Sequence, residues 1–162
     1  MIVRPVLAAL ACLSLAHVAS AQVLQEKNIS LSLATEIAQH AVQQCSADHY
    51  NVTAAVVDRG GNLRVLLRAD NAGPHTVDAA RRKAFTSVSM RIPTSKLVEN
   101  LQKNPAAAQL ASVEGFLALD GGVPIKVGSE VIGAIGVGGA PGGQFDEVCA
   151  VKAIEAVQAK LK

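Results

Sequence analysis

Aromatic side chains are nearly missing from this chain. There is no Trp, and only Tyr50, Phe85, Phe116 and Phe145 are present. A protein that holds single strands of nucleic acid stacks bases on aromatic faces, and no such platform can be assembled here. Charge of one sign is also lacking: the formal net charge is +2, and about +1 once Arg4 is set aside. Nothing of that size calls for nucleic acid, an anionic membrane surface or a strongly acidic partner. The chain has no CxxC, no HExxH and no cluster of His with Cys, so a structural zinc site has no ligands. It has no G-x-S-x-G elbow and no Walker lysine. After the first apolar run no second one follows, which excludes a multi-span membrane protein.

That first run reads as a secretory signal over residues 1–21. Arg4 supplies the positive start, Val6 to Val18 is apolar except for Ser14 and His17, and Ala19-Ser20-Ala21 is a small-x-small cleavage site. The run is too short to span ~30 Å of hydrocarbon. Export to the periplasm or outside the cell is the expectation. What remains is a short lead-in over 22–30 and one domain over 31–162, long enough for a real core. Cys12 leaves with the signal, while Cys45 and Cys149 stay. They are open to one disulfide in an oxidising compartment, but the reading leans to two small buried apolar side chains, each in a predicted helix.

Periodicity gives the order α-β-β-α-α-β-β-β-α. Ser32 is the expected cap of a helix over 33–47, with Leu33, Ile37, Ala41 and Cys45 on one face. Val52–Val57 and Leu63–Leu67 are strands joined by the turn Arg59-Gly60-Gly61-Asn62, the firmest hairpin in the chain. Thr76 is the expected cap of a second helix to Met90, with an Asp78–Arg82 ion pair. Pro93 breaks the chain, and short helical pieces follow over 95–102 and 105–111. Phe116–Leu119, Val123–Val127 and Val131–Val137 read as strands, and a last helix runs over 144–161. Tight turns between neighbours make the sheet mainly antiparallel. The strands are apolar enough to be covered by helices on both faces.

The glycine-rich segment Gly136 to Gly143 is not a dinucleotide loop. Pro141 stands where the third glycine of G-x-G-x-x-G belongs, the strand before it lies in a hairpin, and Asp146 and Glu147 would repel phosphate. It reads first as a tight strand-to-helix connection whose acids favour the helix dipole, and second as a ligand loop built from backbone N–H groups. Of the histidines outside the signal, His40 lies on a polar helix face and His49 at the end of the first helix. His75 follows Gly73-Pro74 in a loop, where an imidazole can ligate a metal or haem iron. Arg81, Arg82 and Lys83 follow it by two turns and can meet carboxylates such as haem propionates.

In this order the motifs resemble the GlcG/HbpS family, which includes the C-terminal domain of PduO. The matching pieces are Val52 to Leu63, Arg68-Ala69-Asp70, Lys83-Ala84-Phe85-Thr86, Pro93-Thr94, Gly121-Gly122-Val123-Pro124-Ile125, Val131 to Gly139, and Asp146 to Ala150. The resemblance covers about Leu31 to Leu161. It implies a profilin-like three-layer α/β/α sandwich around a mainly antiparallel five-stranded sheet, self-association into homo-oligomers, and haem binding in several members. On that basis haem is the expected cofactor. His75 is the first candidate for the iron, His49 the second, and Arg81 and Arg82 are candidates for the propionates. Three readings compete: an exported haem-binding protein for sensing, storage or uptake; a haem-degrading enzyme that takes electrons from an external reductant; and an oligomeric module for some other small molecule. A binding protein is favoured over an enzyme; no flavin or nicotinamide motif is present, so the reductant of such an enzyme would be external.

Overall fold

The hairpin that the sequence marks most clearly is closed by one aspartate. Asp58 Oδ1 accepts the N–H groups of Gly60 and Asn62, both at 2.9 Å, and Gly61 takes φ +80°, a conformation glycine adopts without a Cβ penalty. This turn joins β1 (Thr53–Asp58) to β2 (Leu63–Arg68). The structure, a computed structural model, describes residues 22–162. The signal read over 1–21 lies outside the described residues.

A second hairpin joins β3 (Gly122–Val127) to β4 (Glu130–Gly138), and β4 pairs with β1 along its length from Gly133 to Gly138. The sheet is antiparallel throughout, with the order β2-β1-β4-β3. It has four strands, where five are expected from the resemblance. The missing strand is Phe116–Leu119. There the Leu117 N–H donates to Thr86 Oγ1 at 2.8 Å and the Phe116 carbonyl accepts from Arg82, so these backbone groups are satisfied by side chains instead of a strand partner. Phe116 is buried, its ring set edge-on to Phe85 at 6.1 Å.

Alternation along the strands divides the core in two. Ala54, Val56, Ile135 and Val137 face α1 (Leu31–Ala47) and α4 (Gly143–Ala156). Val57 and Ala134 face α2 (Thr76–Met90), where Ala84 and Val88 meet them. Beside α2 stands α3 (Thr94–Lys103), followed by a 3-10 segment over Pro105–Ser112. The result is a three-layer sandwich, with helices on both faces of the sheet as expected. No helix among the described residues is long and apolar enough to cross a membrane.

Several local details differ from expectation. The first helix starts two residues early, because Ser30 and not Ser32 caps it by accepting the Leu33 N–H. Thr76 is inside α2. Its hydroxyl donates to the Gly73 carbonyl at 2.6 Å and lies 2.7 Å from Thr53 Oγ1. The last helix ends at Ala156, and a 3-10 turn over Gln158–Lys160 completes it. Cys45 and Cys149 form a disulfide, Cα atoms 5.6 Å apart, which overturns the leaning towards two free buried thiols. Both helices bear on the same face of the sheet, so two cysteines 104 residues apart meet across α1 and α4.

Candidate functional site

Helix α2 lies unusually close to the sheet. A Cβ on Gly136 would stand 2.1 Å from the Ala80 carbonyl oxygen, and one on Gly122 2.4 Å from that of Lys83. Only glycine admits the helix at this depth. The close approach carries the Lys83 side chain under the sheet's edge, where the residue is 1% exposed. Lys83 Nζ donates to the Val137 carbonyl at 2.9 Å and to Asp146 Oδ2 at 2.8 Å. The other oxygen of Asp146 accepts the Ala140 N–H at 3.0 Å. Burial pushes the Asp146 carboxyl above its usual range, against the opposing pull of the Lys83 charge and its hydrogen bond.

This pair forms part of the wall of a cavity of about 270 Å³ between the start of α2 and the glycine-rich loop. His75, Thr76 and Ala79 line it from α2's side, and Gly138 to Gly143 from the other. The His75 imidazole is exposed and folds back over Gly73, where a Cβ would stand 2.7 Å from ring carbon Cε1. The glycine in Gly73-Pro74-His75 therefore sets where the ring rests.

The candidates named from sequence do not all meet. His75 lines the cavity. His49 is exposed, with φ +63°, and is not in that lining. It is four residues before Thr53, whose hydroxyl meets Thr76, so both histidines lie at the same end of the sheet. Tyr50, beside it, has its ring 5.8 Å from that of Phe145 on the first turn of α4. Arg81 pairs with Asp78 at 2.8 Å and lines a different cavity with Phe85 and Glu114. Arg82 is 3.8 Å from Asp78, as its spacing predicts, and donates to the Phe116 carbonyl. Lys83, grouped with the two arginines by sequence, meets a carboxylate, but that of Asp146 inside the protein.

Asp146 and Glu147 are correspondingly not simple partners of a helix dipole. Asp146 holds Lys83, and Glu147 accepts the Ser95 hydroxyl at 2.7 Å. The buried pair escapes sequence reasoning because its members are 63 residues apart. A local signal does exist: Lys83 falls on the stripe of Ala80, Ala84 and Ser87 that α2 buries, and a lysine on a buried stripe requires a partner. Among the described residues no three His, Cys, Asp or Glu side chains are grouped to hold a metal ion.

The layers define an antiparallel α/β sandwich, with a recess between α2 and the glycine-rich loop that is lined largely by small residues. Residues 29–155 match the family described as haem degrading protein HbpS-like, and the chain belongs to that family. It is similar to Protein GlcG of Escherichia coli K12, 33% identical over 109 residues, which are 67% of this chain and 80% of that protein. It is 30% identical over 117 residues, 71% of this chain and 82% of the other, to an uncharacterised 15.0 kDa protein of the dhaT-dhaS intergenic region of Citrobacter freundii. Among solved structures it resembles an HbpS double mutant of Streptomyces reticuli, with 40% identity, TM-score 0.79, and coverage of 94% of this chain and 98% of that one. The fold is also that of a PduOC:heme complex, at 23% identity and TM-score 0.72, over 80% and 94% of the two chains.

Proposed function

We propose that this chain is an exported haem-binding protein, with haem lying across the mouth of the cavity and the His75 imidazole towards its iron. The observation that carries this reading is the exposed imidazole at the rim of a recess, in a chain of the HbpS-like family. That the PduOC neighbour is a haem complex supports it. The residues fit the group in a particular way. The cavity is smaller than the ~300–1,000 Å³ of ordinary cofactor pockets, so a porphyrin rests on its mouth and does not enter it. The Tyr50–Phe145 pair at the same end offers apolar surface. Bound haem would supply an iron centre whose reactivity depends on the ligands around it.

The chain's own residues then have separate tasks. Gly73 leaves room for the His75 ring and fixes its resting place. Arg81 keeps an exposed guanidinium that can meet a propionate, whereas Arg82 is already engaged with the Phe116 carbonyl. His49, at the same end, is the alternative ligand. Export is supported by the leader read over 1–21 and by the Cys45–Cys149 bridge, since disulfides persist in oxidising compartments.

Titration of the oxidised protein with haemin tests the reading. A shifted Soret band is expected for wild type, loss of that shift for His75→Ala, and retention for His49→Ala. The absence of any shift in wild type rejects haem binding. The family description favours one further reading, haem degradation with electrons from outside. Loss of the Soret band with iron release under ascorbate would support it; an intact spectrum would leave the protein a binder.

A further inference from the structure

The inner end of the cavity has its own chemistry. An ammonium has three N–H donors. Two of those on Lys83 are matched by the Val137 carbonyl and Asp146 Oδ2, and among the described residues nothing accepts the third. Asp146 has both oxygens occupied, so its task here is to hold Lys83 in place. Opposite stand Gly142 and Gly143, which add no side chain to the space, and no side chain caps the first turn of α4.

From this the geometry points to a subsite for one small carboxylate: one ligand oxygen accepts the third proton of Lys83, and the other meets backbone N–H groups at the start of α4. This rests on the same recess as the haem reading and deepens it, because the carboxylate has two sources, a free small acid or the propionate of a haem whose iron lies at His75. Charge selects the class. Lys83 and Asp146 cancel, so a monoanion adds a single negative charge to the recess, while a phosphate would add nearly two beside a buried carboxylate. Size agrees, since about 270 Å³ suits a few heavy atoms.

Sodium acetate, titrated into haem-free oxidised protein at constant ionic strength, is the probe. Saturable shifts of the Gly142, Gly143 and Gln144 amide resonances are expected, with acetamide at least about tenfold weaker for want of the charge. Ala79→Leu fills the recess from α2 without touching the ion pair and is expected to weaken acetate by a similar factor. If that variant does not fold, the acetate–acetamide comparison on wild type stands alone. Absence of saturable shifts, equal binding of acetamide, or a folded Ala79→Leu protein that binds acetate as wild type does would each overturn the subsite.

Haem and its dimethyl ester separate the sources. A propionate source makes the ester bind more weakly and lets acetate compete with haem; a free-acid source leaves both haem forms equal. Acetate shifts without a Soret change would reject haem binding and keep the subsite. A Soret change without acetate shifts would do the reverse.

Discussion

The two faces of the sheet are built on opposite principles. Against α1 and α4 the contacts are aliphatic and are locked by a disulfide, with Ile37, Val56 and Ile135 fully buried. Against α2 the same strands present small residues and glycine, and polar groups are buried with it: Thr53 meets Thr76, and Lys83 reaches past the sheet to Asp146 at the start of α4. The first face has few demands beyond volume. The second needs a partner for each buried polar atom, and each buried side-chain polar atom has at least one among the described residues. The recess lies where the two meet, between the start of α2 and the glycine-rich loop that leads into α4.

Removing the bridge gives the largest expected effect. Closing a loop of about 100 residues restricts the unfolded chain by about 4.7 kcal/mol in the chain-entropy model. Cys45→Ser with Cys149→Ser should therefore lower the unfolding free energy by roughly 3–5 kcal/mol, measured by urea denaturation against the oxidised protein. The acetate and haem responses of the folded fraction should stay unchanged. A loss of binding in folded variant would show that the two faces are coupled.

Breaking the Lys83–Asp146 pair, which joins α2 to α4, comes next. Lys83→Met leaves the Asp146 carboxylate buried and uncompensated, at a cost of about 3–5 kcal/mol. The double variant Lys83→Met, Asp146→Leu removes both charges and should recover most of that loss, because apolar packing can replace a buried ion pair. If the double variant is no more stable than the single one, the pair is needed for shape as well as charge. Gly136→Ala follows, at roughly 1–3 kcal/mol, since its Cβ meets the α2 backbone and not a flexible side chain. A melting curve identical to wild type would mean that α2 moves away from the sheet easily.

How far each face is legible in the sequence follows from the range of its contacts. The turns at Asp58 to Asn62 and at Gly128-Ser129 are local, so both hairpins and their antiparallel sense can be read directly. The first helix announces itself by the four-residue recurrence of Leu33, Ile37, Ala41 and Cys45. Phe116–Leu119 has strand composition, but its backbone partners are side chains of α2 some 31 residues back, and composition carries no trace of them. The bridge and the buried pair join residues 104 and 63 apart. Spacing along the chain fixes neither. His75 is legible because its setting, a loop beside a helix start, is local; what it faces is not.

Two carboxylates titrate in opposite senses and give the smallest effects. Glu99 is exposed on α3 between Lys96 and Lys103, and their hydrogen bonds and charges hold it down to about 2 from 4.5. A group lowered in the folded state stabilises above its unfolded value and loses that contribution as pH falls from 4.5 towards 2. Asp146 is raised by burial, so its sign is reversed. The folded state takes up its proton first, and the contribution is fully present below 3.8 and lost as pH rises through the folded value. Comparing wild type with Asp146→Asn over the acid range, the difference in melting temperature should move in favour of wild type as pH falls. A move the other way would mean that the Lys83 charge outweighs burial at this carboxyl. For Glu99, carboxyl resonances followed by NMR should show a low midpoint that salt returns towards 4.5, since exposed pairs are screened. The Asp146 midpoint, buried beside Lys83, should hardly respond to the same salt.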